Sequence, residues 1–211
     1  MDNVIDLFPI KIYKTTIIPS EEEKNDCDLF FDNIFSNLEN NVWPGESGKS
    51  TGCHDIDLHT KPEFHWLFDK MMHHLNVYWW EVLKYHNGLI PSVVYSWANL
   101  HLKDQSTAPH SHMDGYDGMN HISGVFYYKK DEDEEDIKFL HPLDSLLRCQ
   151  PYREMVGIEE ISIPVNTKTY DLLIFPSWLR HRVDKNKFNK PRIAISFNCR
   201  GIYGGTNNFI R

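Results

Sequence analysis

The sequence predicts an α+β protein whose antiparallel β-core, a barrel or sandwich, is backed on one face by two helices. Three observations predict this. Apolar residues recur at helical spacing only within the first ninety positions, and β-branched or aromatic runs punctuated by turn residues fill the rest. No repeat or interdomain linker interrupts the 211 residues, which read as one domain: edge strands and supporting helices in 1–90, the β-core in 91–211.

Residues 4–18 alternate loosely around Phe8-Pro9 and read as one or two edge strands, because proline removes a ladder donor. Ser20 with Glu23 three positions on has the form of a capping box, and Cys27, Phe30, Phe31, Ile34 and Leu38 follow at helical spacing. Residues 41–50 are turn chemistry. A second helix starts at Pro62, holds Phe64, Leu67, Phe68, Met71, Leu75, Trp79 and Val82 on one face, and is expected to stop at Gly88. His65, His73 and His74 have no histidine partner at i, i+4 there, so they read as part of a packing helix. Strands are expected at 91–102, 122–130, 160–165, 170–175 and 192–199. The acidic run 131–136 reads as a solvated loop that keeps a sheet edge from pairing, with no chemistry assigned to it.

Composition narrows the function classes. With 22 Lys plus Arg against 30 Asp plus Glu the net charge is −8, which excludes a nucleic-acid binder that relies on a broad basic surface. An aromatic content of 13% argues against disorder. The start has no basic region followed by a long apolar one, and no eighteen apolar residues run together, so the chain reads as cytoplasmic with no membrane partner. Cys27, Cys53, Cys149 and Cys199 form no CxxC pair, which suits reduced, mostly buried thiols rather than a zinc ribbon.

Chemistry concentrates in two stretches. In the first, His112 and Asp114 form an H-x-D pair just before a strand, and i, i+2 side chains in extended backbone point the same way. Such a pair can take two adjacent corners of a metal ion. His181, beyond an apolar strand and a Pro-Ser-Trp turn whose Trp178 reads as packing, would complete a two-histidine, one-carboxylate facial triad with open positions. In isolation the motif is weak, because 12 histidines and 30 acidic residues produce such pairs by accident, and a surface His-Asp pair is the simpler reading. Arg192 adds context: it follows Pro191 and opens the last strand, with Ala194 and Ser196 on its face and Ile193, Ile195 and Phe197 on the other. A buried guanidinium so placed needs an anion, and a dicarboxylate suits its planar fork.

On these residues the sequence resembles the 2-oxoglutarate and Fe(II)-dependent oxygenases, specifically the oxygenase family common in phages and bacteria. The matching stretches are an LFPxxIY-like start at 7–13, WAN at 97–99, H-x-H leading into SGVFYY over 110–128, FPSWLRHRV at 175–183 and RIAISFN at 192–198. The chain is also similar to the prolyl-hydroxylase branch, where H-x-D leads into a tyrosine-bearing strand.

The resemblance implies a double-stranded β-helix, or jelly roll. It implies Fe(II) held by His112, Asp114 and His181, 2-oxoglutarate chelating that iron with its far carboxylate on Arg192, O2 as the second cosubstrate, and ascorbate as a supporting reductant. Tyr128, or failing that Tyr127, would bind the cosubstrate carboxylate. Asn99 and Ser196 are candidates to face it, against the blander role of satisfying local backbone. The family's H-x-H pattern keeps His110 with His112 open as the ligand pair, whereas the stronger hold of a carboxylate on Fe(II) favours Asp114.

The implied activity is hydroxylation of an unactivated C–H, on a peptide or amino-acid substrate if prolyl-hydroxylase-like. Residues 115–121 and 130–158 would frame the entrance, and a basic peptide would suit the acidic run. Two other readings stay open. A cupin-like metal enzyme would have no use for Arg192 where it stands, and a non-catalytic metal-binding barrel, for instance a phage structural or interaction protein, would not need all four residues.

Overall fold

In chain order the strands are β1 (Tyr13–Thr16), β2 (Lys49–Ser50), β3 (Leu89–His101), β4 (Thr107–His110) and β5 (Ile122–Lys129), then β6 (Ile137–Leu140), β7 (Ser162–Val165), β8 (Asp171–Pro176), β9 (His181–Val183) and β10 (Arg192–Tyr203). The computed structural model describes residues 8–40, 46–113, 119–134, 136–147 and 161–203. A six-stranded antiparallel sheet has the order β1-β8-β5-β10-β3-β2, and a four-stranded sheet the order β4-β9-β6-β7. From β4 to β10 the chain passes back and forth between the sheets, β6 and β7 alone staying together, which is the winding of the expected jelly roll.

The period of two along each long strand divides the interior. On β5, Ile122, Phe126 and Tyr128 join the cluster that contains the helices, while Val125 and Tyr127 face the space between the sheets. On β8, Leu172 and Ile174 face the helices, Leu173 and Phe175 the inter-sheet space. On β10, Ile193, Ile195, Phe197 and Cys199 face the helices and Ala194 the inside, as the alternation from Arg192 predicts. Gly124 is required in this layer, because a Cβ there would collide with the Phe197 ring and the Leu173 carbonyl oxygen.

Helix α1 (Glu21–Asn37) begins with the expected capping box: Ser20 Oγ accepts from the Glu23 amide at 3.2 Å, and Glu23 Oε2 accepts from the Ser20 amide at 2.6 Å. It buries Cys27, Phe31 and Phe35 against the sheet. Helix α2 (His65–Asn76) follows a 3-10 turn at Pro62–Phe64, buries Leu67, Phe68, Met71 and Leu75, and runs into a π-helical turn, Val77–Val82, that buries Tyr78 and Trp79. The helical run ends well before the expected stop at Gly88. Leu83 still donates to the Tyr78 carbonyl, and Lys84 then takes the left-handed conformation with φ 55° in place of a glycine.

Other expectations are also revised. Residues 49–50 of the supposed turn form β2 against Leu100 and Asn99, while 41–45 lie outside the described residues. Trp178 is 43% exposed, and its neighbour Leu179 is the residue that packs inward. A short helix, α3 (Asp144–Leu147), falls in the entrance segment. Cys27 and Cys199 are buried free thiols and Cys53 is half-buried; Cys149 lies outside the described residues, as do residues 4–7 of the first strand segment. Among the described residues no helix is long and apolar enough to cross a membrane.

Candidate active site

Two short strands of the smaller sheet do the positioning. The antiparallel register of β4 and β9 sets His110, the last residue of one, directly opposite His181, the first residue of the other. Directly opposed side chains on one face of such a pair have Cβ atoms about 4.5–5.5 Å apart. His112 follows two residues later, its amide donating to the Ser177 carbonyl at 2.9 Å, which ties it to the turn after β8. The Asn120 side-chain amide donates to the His112 carbonyl at 2.8 Å.

One ligand atom from each of the three imidazoles lies within 4.8 Å of the others, and His110 Nε2 is 3.0 Å from His112 Nε2. Their orientation is fixed from behind. His110 Nδ1 lies 2.8 Å from the Ala108 carbonyl oxygen and His181 Nδ1 3.0 Å from the Leu179 carbonyl oxygen. A carbonyl only accepts, so both Nδ1 atoms carry the proton and both Nε2 lone pairs face the cluster. The His112 ring packs on Trp97 at 5.3 Å, and that of His181 on Phe175 at 4.8 Å. Burial, reinforced by His110, pushes His181 down to about 3, and burial together with His181 and His110 holds His112 well below the ordinary histidine range. Three imidazole nitrogens brought this close are a donor set that suits a divalent transition metal.

The cluster opens into a cavity of about 680 Å³ between the sheets. Its floor is the β3–β10 ladder, on which Tyr95 pairs with Asn198, Trp97 with Ser196, Asn99 with Ala194 and His101 with Arg192. The first pair lies toward Asp55, which is exposed. The last pair lies at the inner end, where Val125, Ile137 and Ala194 are the apolar walls.

At that inner end Arg192 is 1% exposed. Its Nη1 stands 3.1 Å from Glu134 Oε1, yet neither atom makes a hydrogen bond of ordinary geometry; the contact is ionic without being aligned. Nη2 donates to the Asp184 carbonyl at 3.5 Å. Burial lowers the Arg192 pKa against the pull of Glu134, and burial raises that of Glu134 against the pull of Arg192. The Tyr127 hydroxyl and Asn99 Oδ1 are likewise buried without a hydrogen bond of ordinary length. Arg192 Nη1 and the Tyr127 hydroxyl are the unmet buried donors here, and two such donors lining one cavity suit an anionic ligand, whereas Asn99 Oδ1 can only accept.

Of the residues singled out in the sequence, His112, His181, Arg192, Asn99, Ser196 and Tyr127 line this cavity, and so does His110. Asp114 lies outside the described residues. Tyr128 is corrected: it points to the helix side, its hydroxyl donating to α1, 2.8 Å from the Lys24 carbonyl oxygen and 2.9 Å from Asp28 Oδ1. Strand parity gives the inward place to Tyr127. The acidic run is corrected too, because Glu134 is 5% exposed and faces Arg192, which composition alone could not reveal. His65, His73 and His74 take no part in the histidine cluster.

Residues 95–198 match the family model described as putative 2OG-Fe(II) oxygenase. Among solved structures, the chain is similar to a prolyl-4-hydroxylase of Pseudomonas putida, with 12% identity over 90% of this chain and 92% of that one, and a TM-score of 0.58. HygX from Streptomyces hygroscopicus, solved with nickel, 2-oxoglutarate and hygromycin B bound, is similar at 12% identity over 90% of this chain and 82% of that one, TM-score 0.59. The carbocyclase SnoK from nogalamycin biosynthesis is similar at 11% identity over 92% and 82%, TM-score 0.60. At these identities the likeness concerns the fold. No curated protein sequence matches the chain.

Proposed function

Residues 95–198, which include the three histidines, Tyr127 and Arg192, belong to the 2OG-Fe(II) oxygenase family, and we propose that the protein uses them to hydroxylate an unactivated C–H bond. One observation carries the residue assignment: three clustered imidazoles and a buried arginine with unmet hydrogen bonding face a single cavity. A keto acid with a second carboxylate is the ligand that can answer both ends.

His110, His112 and His181 would hold the iron. The third place goes to His110 because the strand register puts it opposite His181 and its Nδ1–H bond aims Nε2 at His112. Arg192 and Tyr127 would take the far carboxylate of 2-oxoglutarate, with Asn99 and Ser196 beside it on the floor. When bound, iron and 2-oxoglutarate supply the oxidising chemistry, decarboxylation of the keto acid to succinate and CO2 coupled to transfer of one oxygen atom of O2 to the substrate carbon. The chain's own contribution is placement: backbone carbonyls fix the imidazoles, while Phe175, Ile137 and Val183 give the cavity apolar walls. For the substrate we infer a peptidyl or free amino acid, proline foremost. The support is the likeness to a prolyl-4-hydroxylase fold and a cavity of about 680 Å³ that Tyr95 and Asp55 help to line.

The test is anaerobic titration of Fe(II)-loaded protein with 2-oxoglutarate, read by the visible charge-transfer band of the chelate, in the wild type, His110→Ala, Asp114→Ala and His181→Ala. The band should form in the wild type and Asp114→Ala and fail in both histidine variants. Formation in His110→Ala with failure in Asp114→Ala would return the third place to the carboxylate.

A further inference from the structure

Glu134 belongs to an acidic run, yet its carboxylate is withdrawn from water: the side chain is 2% exposed and stands against an Arg192 side chain that is 1% exposed. The turn presenting it is fastened on several sides. Glu134 donates its amide to the Asp131 carbonyl at 3.2 Å, and its Oε2 accepts from the Asp131 amide at 3.3 Å. The buried Lys130 ammonium donates to the Glu134 carbonyl at 2.9 Å and to the Thr167 carbonyl at 2.9 Å. Lys190 closes the outside by donating to Asp131 Oδ2 at 2.7 Å. Glu134 is thus placed on the arginine by a built turn, but its contact at 3.1 Å leaves Nη1 without an aligned acceptor. A pair that is charged, buried and misaligned is one that a better-aligned carboxylate can displace.

Arg192 is the cation that, in the reading above, receives the far carboxylate of 2-oxoglutarate, and this inference rests on that reading. Two carboxylates on one desolvated guanidinium repel each other, so the second enters only as the first leaves or is neutralised. We propose that Glu134 is an intramolecular competitor for Arg192, a carboxylate that engages the guanidinium the cosubstrate would anchor to and thereby sets the affinity and selectivity for dicarboxylate keto acids. A keto acid without the far carboxylate gains nothing from Arg192, and its binding is indifferent to Glu134.

The experiment is calorimetric binding to the Ni(II)-loaded full chain, which does not depend on turnover. Its ligands are 2-oxoglutarate and 2-oxovalerate, the same chain length without the far carboxylate. In Glu134→Gln, 2-oxoglutarate should bind about tenfold more tightly or better while 2-oxovalerate is unchanged. Glu134→Asp, which keeps the charge but shortens its reach, should fall between. An unchanged or weaker affinity for 2-oxoglutarate in Glu134→Gln, or an equal gain for both keto acids, overturns the proposal; thermal melts confirm that each variant is folded. Arg192→Ala separates the two layers of inference. If it abolishes the preference for 2-oxoglutarate while Glu134→Gln changes nothing, only the competitor role fails; if it leaves the preference intact, the cosubstrate reading of Arg192 fails.

Discussion

Replacing each of two adjacent tyrosines by phenylalanine should separate the fold from the site. Tyr127 and Tyr128 succeed one another on β5 and therefore face opposite sides of the sheet. Tyr128→Phe deletes a donor shared between the Lys24 carbonyl oxygen at 2.8 Å and Asp28 Oδ1 at 2.9 Å. A hydrogen bond to a charged group contributes about 1.5–3 kcal/mol. Asp28 keeps Lys129 at 2.6 Å and the ring keeps its contact with Phe31, so the lower part of that range applies, about 1.5–2 kcal/mol. In a chain of 211 residues this corresponds to a Tm lowered by about 3–8 °C, with no change in cosubstrate affinity. Tyr127→Phe should do the reverse. Its buried hydroxyl makes no hydrogen bond of ordinary length within the protein, so deleting it leaves Tm unchanged or slightly raised. The lost donor to a bound carboxylate is worth about 1.5 kcal/mol, or about a tenfold rise in the 2-oxoglutarate Kd. Thermal denaturation and calorimetry on Ni(II)-loaded protein read the two effects separately. Loss of affinity in Tyr128→Phe without loss of Tm, or a large drop in Tm with normal affinity in Tyr127→Phe, would refute the parity argument.

Two further substitutions test the supports of the site. Lys130→Met removes an ammonium with a fully buried side chain, bonded to the Glu134 and Thr167 carbonyls and 3.4 Å from Asp136 Oδ1, and should cost about 3–5 kcal/mol in urea unfolding with an unchanged m-value. A cost below about 1 kcal/mol would mean that water replaces the ammonium in that turn. Asp171→Asn tests the edge where β1 joins β8. Burial alone would raise the Asp171 pKa, but Thr16 Oγ1, the Lys168 amide and Lys14 outweigh it and leave it below the ordinary value. A carboxylate with a depressed folded-state pKa contributes stability that is present above its unfolded value of about 4 and is lost as pH falls through the folded value. The variant should therefore be less stable than wild type at pH 7 by about 1–2 kcal/mol, and the gap should close below pH 4; a gap independent of pH would show that packing, not charge, is what Asp171 supplies.

Long strands and helices were legible because their residues repeat a signal. The capping box at Ser20 and the alternation from Arg192 to Phe197 both appear as the sequence implies. The smaller sheet was not legible. Of its four strands only β7 falls within an expected run; β4, β6 and β9 have three or four residues each, too few for any period to be counted. Glu134 could not be read either, since charge composition gives the sign of a loop but not which of its carboxylates turns inward. The helix stop at Gly88 failed for a local reason: Lys84 accepts the left-handed conformation that glycine usually supplies.

The choice between His110 and Asp114 as partner of His112 shows where one-dimensional reasoning ends. Both stand two positions from His112, so strand parity places either one on its side, and nothing in the spacing separates them. The choice of His110 proposed above rests on a contact distant in sequence. His110 is the last paired residue of β4, and its register partner on β9 is His181, more than seventy positions away. Because β9 has only three residues, that register is set by the turn after β8, where Ser177 accepts from the His112 amide and the Leu179 amide donates to the Pro176 carbonyl. The stretch 175–183 therefore supplies His181, one of the three proposed ligands, and also sets the height at which His110 and His112 meet it. A sliding error of one residue there would turn His181 to the opposite face and leave His110 and His112 without a third neighbour.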